Sequence, residues 1–82
     1  MSLEQLRARL DAVDQQLLEV LVQRAAMVRE IWCWKEAHGL PRFDGEREEQ
    51  LKARLLQEGA ARGLDPQALG AVLEQVVGHR LD

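Results

Sequence analysis

The chain has one cysteine, two prolines, three aromatic residues and no tyrosine among its 82 residues. Each scarcity closes off a class of protein. Cys33 alone cannot form an intrachain disulfide, and without a nearby histidine it reads as a small packed hydrophobe rather than a nucleophile. Few aromatics, and few β-branched residues beyond the valines, turn the reading from sheets toward helices. No apolar run approaches the ~20 residues of a membrane span. The start MSLEQLRARL has neither the charged opening nor the apolar block of a signal peptide, so a cytoplasmic protein is expected. A basic excess is also missing: the net charge is −3, with bases interleaved among acids, which argues against a nucleic-acid surface.

What is present is a composition of 46% hydrophobic and 30% charged residues without low-complexity tracts, as expected of a folded chain. Its length suits a single domain, residues 1–82. A chain of this size buries only about 60–65% of its unfolded surface, so a monomer would be marginal.

Local signals predict an all-α fold of three helices. Ser2 followed three residues later by Gln5 is a capping box, and Gly39, Leu40 and Pro41 supply a stop. The first helix is therefore about 36 residues, or ~54 Å. Asp44 is an N-cap for a second helix, with Glu46, Glu48 and Glu49 in its first turns, Leu51 and Leu55 on its apolar face, and an end between Gly59 and Gly63. Asp65 and Pro66 open a third helix whose buried stripe is Leu69, Val72, Leu73, Val76 and Val77. A ~54 Å helix outruns what two short helices can cover, since a 100-residue domain has a radius of gyration of ~13 Å. A homodimer sharing the long helices is the economical solution.

The long helix carries its apolar seam through Leu3, Leu6, Leu10, Val13, Leu17, Leu21, Arg24, Val28, Ile31 and Lys35, spaced by threes and fours. Two members are cations. Burying an unpaired cation is costly, so a cation on such a stripe implies a buried anion, either an internal acid or a ligand. Arg24 and Lys35 are eleven residues apart, within about 20° on one face and three turns from each other. The second helix also turns polar at one end, at Asp44, Arg47 and Glu48. Spacing alone leaves two readings open: Arg24 paired with Glu48 or another acid, or a ligand site. Arg7 lies off the seam, pointing away from Arg24, and would either snorkel to water or, in an antiparallel dimer, reach the partner's pocket. Arg42, Lys52 and Arg54 read as solvated surface.

At these positions the chain resembles the all-helical chorismate mutases, built as intertwined three-helix homodimers. The segment LRARLDAVDQQLLEVLVQRAAMVREI, then Lys35 and GLPRFDGEREEQL, carries the resemblance, which extends from Leu6 to about Val77. It implies conversion of chorismate to prephenate, in the shikimate pathway toward phenylalanine and tyrosine, by a [3,3] rearrangement with no cofactor and no metal. By that likeness Arg24, Arg47 and the partner's Arg7 would bind carboxylates. Lys35 would serve a carboxylate and the ether oxygen, and Glu48 with the Asp44 backbone would take the ring hydroxyl. Lys35, Arg24 and Glu48 are thus the candidate catalytic residues.

Two departures from the family's pattern stand out. Many members carry, late in the third helix, a polar residue followed four positions later by a Gln or Glu directed at the ether oxygen. The first position aligns with Arg80 and the second falls just past Asp82. A tail of this kind resembles the low-activity members activated by the synthase that opens the pathway, with Gly78 to Asp82 either a docking segment or a frayed end. The other departure is Trp32-Cys33-Trp34, where smaller or more polar residues are usual, and Trp32 reads first as dimer packing, with a reshaped pocket as the alternative. Besides the mutase, the resemblance admits an isochorismate pyruvate lyase of the same fold, or a weakly active helical dimer that partners a synthase.

Overall fold

The computed structural model describes every residue from Met1 to Asp82 and contains three helices and no strands. These are α1, Leu3–Ala37; α2, Gly45–Ala61; and α3, Pro66–Val77. The chain divides into two compact units, Met1–Trp34 and Lys35–Asp82.

The first unit is the body of α1. Its start is the expected capping box: the Gln5 amide donates to Ser2 Oγ at 3.1 Å and the Ser2 amide to Gln5 Oε1 at 2.9 Å. Val28 is the only buried residue of α1. The apolar stripe ahead of it, Leu3, Leu6, Leu10, Val13 and Leu17, is exposed. Cys33, expected as a packed hydrophobe, is exposed instead. Its position explains this, because five residues of α-helix carry it about 140° around from Val28.

The second unit contains the last turn of α1 followed by the antiparallel pair α2 and α3. Asp44 caps α2 by accepting from the Arg47 amide at 3.1 Å, and Asp65 caps α3 by accepting from the Ala68 amide at 2.9 Å. Leu73 and Val77, on one face of α3, are buried, Val77 to 1% exposure. Val72, counted in that stripe from spacing, is exposed, since it falls 100° from Leu73 on a helix covered on one side only. Near the turn α2 and α3 approach closely: a Cβ at Gly59 would meet Leu69 Cδ2, which would have to shift. Lys52, expected on solvated surface, ties the pair together. Its ammonium meets Glu49 of α2 at 2.6 Å and Glu74 of α3 at 2.8 Å, and its side chain is only 18% exposed.

All three helices end in the same way. At the end of α1 the Leu40 amide reaches back to the Lys35 carbonyl at 2.8 Å across Gly39, whose φ is +69°. At the end of α2 the Leu64 amide reaches the Gly59 carbonyl at 3.1 Å across Gly63, φ +94°. After α3 the Arg80 amide reaches the Gln75 carbonyl at 2.9 Å across His79, φ +61°. This is the Schellman closure, which needs a left-handed residue that glycine fills most easily. The third helix uses histidine there.

Candidate functional site

The last turn of α1 and the first turns of α2 bring Lys35, Asp44, Arg47 and Glu48 into one unit. Lys35 is half-buried, and its ammonium donates to the Arg42 carbonyl at 3.1 Å, bracing the loop between the helices. An ammonium has three donors, so others remain available. Arg42 is drawn back on the same loop by a 2.9 Å bridge to Glu36 rather than simply solvated.

Asp44 spends its side chain on the α2 cap, while its carbonyl accepts the Glu48 amide at 3.0 Å. Arg47 is exposed on one side of α2, where it lines a groove of about 240 Å³ with Gln50, Leu51 and Arg54. Glu48 takes a different side: its side chain is 27% exposed and meets His79 beyond α3, Nε2 to Oε1 at 2.5 Å. The second ring nitrogen, Nδ1, lies 3.0 Å from Asp82 Oδ2, and the ring stands 5.4 Å from the Phe43 ring at 52°. The residues after α3 are thus folded onto Glu48, not frayed.

Arg7 and Arg24 belong to the other unit. Arg7 is exposed, and Arg24 is half-buried on α1. Within its own unit Glu48 meets His79. Sequence reasoning missed this partner because it lies 31 residues away and reaches Glu48 through a left-handed backbone position. The available signal was a histidine directly after Gly78, past the last apolar residue of α3. No group of three or more His, Cys, Asp or Glu is arranged to hold a metal ion, and no helix is long and apolar enough to cross a membrane.

Within the second unit the candidate residues are thus two cations, Lys35 and Arg47, and one half-buried carboxylate, Glu48, with the Asp44 side chain spent on the helix cap. A family model described as chorismate mutase type II matches residues 6–81, nearly the whole chain. The chain belongs to that family. Among curated relatives it is 36% identical over 72 residues to the T-protein of Enterobacter agglomerans, covering 88% of this chain and 19% of that protein. It is 32% identical over 75 residues to the 4-amino-4-deoxychorismate mutase of Streptomyces pristinaespiralis, covering 92% of this chain and 58% of that protein. The chain thus spans less than two thirds of the length of either relative. No solved structure matches it. Every candidate residue, from Arg7 to Glu48, lies within the matched family segment.

Proposed function

We propose that this chain is a cytoplasmic chorismate mutase acting as a homodimer with two equivalent sites, each completed by the partner's Arg7. The observation that carries this reading is the family match across residues 6–81, which encloses the cations Arg7, Arg24, Lys35 and Arg47 together with Glu48.

The chemistry asks little beyond shape and charge. Chorismate is a dicarboxylate, and its rearrangement is intramolecular: the ether C–O bond breaks as a C–C bond forms, with no proton or electron supplied from outside. The enzyme must hold a compact chair-like conformer and stabilise charge on the ether oxygen. Arg24, Arg47 and the partner's Arg7 bind the carboxylates, for which the planar guanidinium fork is suited. Lys35 serves a carboxylate and the ether oxygen from an ammonium already fixed against the Arg42 carbonyl. Glu48, on α2 and held by His79 just past α3, accepts a hydrogen bond from the ring hydroxyl. Removing one such donor to developing charge costs about 10² to 10³ in rate.

The test is a chorismate-consumption assay on the purified protein with the product identified, run in parallel with isochorismate. Prephenate from chorismate supports the mutase, and Arg24→Ala or Lys35→Ala then abolishes turnover while helicity is kept. Pyruvate from isochorismate alone would replace it by the lyase. No turnover of either substrate by folded protein would move the reading to a helical dimer that partners a pathway synthase. A second substrate is raised by the name of the Streptomyces relative, in which an amine replaces the ring hydroxyl. Glu48 can accept from either group, so discrimination must come from what surrounds it.

A further inference from the structure

We infer that His79 is a positioning residue: from beyond α3 its ring clasps the first turn of α2 and so holds the part of the site which that turn carries. The catalytic consequence rests on the mutase reading, whereas the clasp itself stands on contacts within the second unit.

The backbone singles this residue out. Gly39 and Gly63 fill the left-handed closing position of α1 and α2, and His79 fills it after α3 at φ +61°. No other residue except glycine has a positive φ. A side chain sits there less easily than glycine, and such positions persist where the surrounding contacts over-determine them. The ring could not be carried one residue earlier, because a Cβ on Gly78 would crowd the Glu74 carbonyl oxygen, which is backbone.

Its contacts converge on one place. Nε2 lies 2.5 Å from Glu48 Oε1, and the ring stands 5.4 Å from the Phe43 ring. Phe43 directly precedes the N-cap Asp44, and the Glu48 amide donates to the Asp44 carbonyl. One ring therefore touches the chain on both sides of the cap, with its own side chain 16% exposed. A single proton between Nε2 and Oε1 makes that hydrogen bond whichever atom carries it, so the clasp does not depend on the charge of the ring. Asp82, 3.0 Å from Nδ1, has a side chain 4% exposed, so the segment after α3 is packed down around the ring. The turn so held carries the Asp44 backbone, Arg47 and Glu48. Phe43 also follows Arg42, whose carbonyl receives the Lys35 ammonium at 3.1 Å. Fixing Phe43 and Glu48 together thus fixes this turn against α3, and a shift of about 1 Å in such groups costs about 10²-fold in rate.

The experiment measures amide hydrogen exchange and kcat/KM for chorismate in the wild-type protein, His79→Gly, His79→Gln and, as a control of lowered stability away from the clasp, Asp65→Ala. Glycine suits the left-handed backbone and removes the ring. Glutamine keeps an uncharged donor toward Glu48. In His79→Gly the Arg47 and Glu48 amides, both held by Asp44, should exchange about fivefold faster or more, the worth of one hydrogen bond. Its kcat/KM should fall by about tenfold or more, with a partial return of both quantities in His79→Gln. Asp65→Ala should leave kcat/KM and these two amides as in the wild type. Exchange that rises evenly along the second unit in His79→Gly would make the ring a general stability contact and overturn the inference, as would an unchanged kcat/KM in an active enzyme. Wild-type protein without turnover would overturn the mutase reading, while the exchange comparison would still decide the clasp.

Discussion

Replacing Leu10 by glutamate should break the assembly while leaving the isolated chain almost untouched. The homodimer proposed above would cover the apolar stripe Leu3, Leu6, Leu10, Val13 and Leu17, which is exposed in the single chain.

Leu10 is 58% exposed in the single chain. Full burial of a leucine side chain contributes about 1.5–3 kcal/mol, so covering the exposed share contributes about 1–2 kcal/mol per copy and roughly 2–3.5 kcal/mol per dimer. A glutamate there loses this and adds the desolvation of two carboxylates, several kcal/mol each if unpaired. A total of at least ~5 kcal/mol raises the dimer Kd by about 10³ to 10⁴. On the exposed surface of the monomer the same substitution changes stability by only about 0.5 kcal/mol. Sedimentation equilibrium across a wide concentration range reads the effect directly, and thermal melts of the wild type should rise with protein concentration. Wild-type protein that sediments as a monomer, or a Leu10→Glu variant with unchanged dimer mass, would refute the reasoning.

Mixing separately inactive Arg7→Ala and Arg24→Ala proteins should restore about a quarter of wild-type activity, because half of the reassorted dimers hold one intact site of two if Arg7 crosses the two-fold axis. No recovery after confirmed subunit exchange would place Arg7 in its own chain's site. Asp65→Ala removes the α3 cap and should cost about 1 kcal/mol, lowering Tm by about 4–8 °C, as read by circular dichroism. Lys52 holds the Glu74 carboxyl below its ordinary value, chiefly through their hydrogen bond, so that contribution to stability is present above about pH 4.5 and is lost as pH falls through the lower folded-state value. Glu74→Gln should therefore flatten the fall of Tm below that pH, and parallel curves for variant and wild type would count against the linkage.

The helices were readable because their ends are written in local chemistry. Ser2 with Gln5, Asp44, and Asp65 with Pro66 act over three or four residues, and each cap forms as the sequence implies. Gly39 and Gly63 likewise announce left-handed closures that the backbone adopts. Contacts across long separations were not readable. Lys52 reaches Glu74 across 22 residues, and spacing along α2 alone made it a surface cation. Periodicity placed Val72 inside a stripe but could not say how wide a face α2 would cover. Cys33 was misjudged for a related reason: its residue type favours burial, whereas its angle on α1 decides exposure. Among the candidate residues, Lys35, Asp44, Arg47 and Glu48 fall in one unit because α1 ends and α2 starts within a few residues. The side of α2 that each one faces was hidden, and that is what separates the Arg47 groove from the Glu48–His79 contact.

A common economy links the apolar stripe to the cations. In a chain with only Val28, Leu73 and Val77 as buried apolar side chains, little protein is available to exclude water from a charged site. Yet cations bind a dianion strongly only where water is excluded, since the same pair gains about four times more at an effective dielectric of 20 than at 80. Arg24 and Lys35 continue the stripe that begins at Leu3, so whatever covers Leu10 and Leu17 extends along the line on which these cations lie. In the proposed dimer, association and catalysis would then draw on one surface. Loss of the dimer would be expected to remove activity even for a substitution, such as Leu10→Glu, at a residue assigned no contact with substrate.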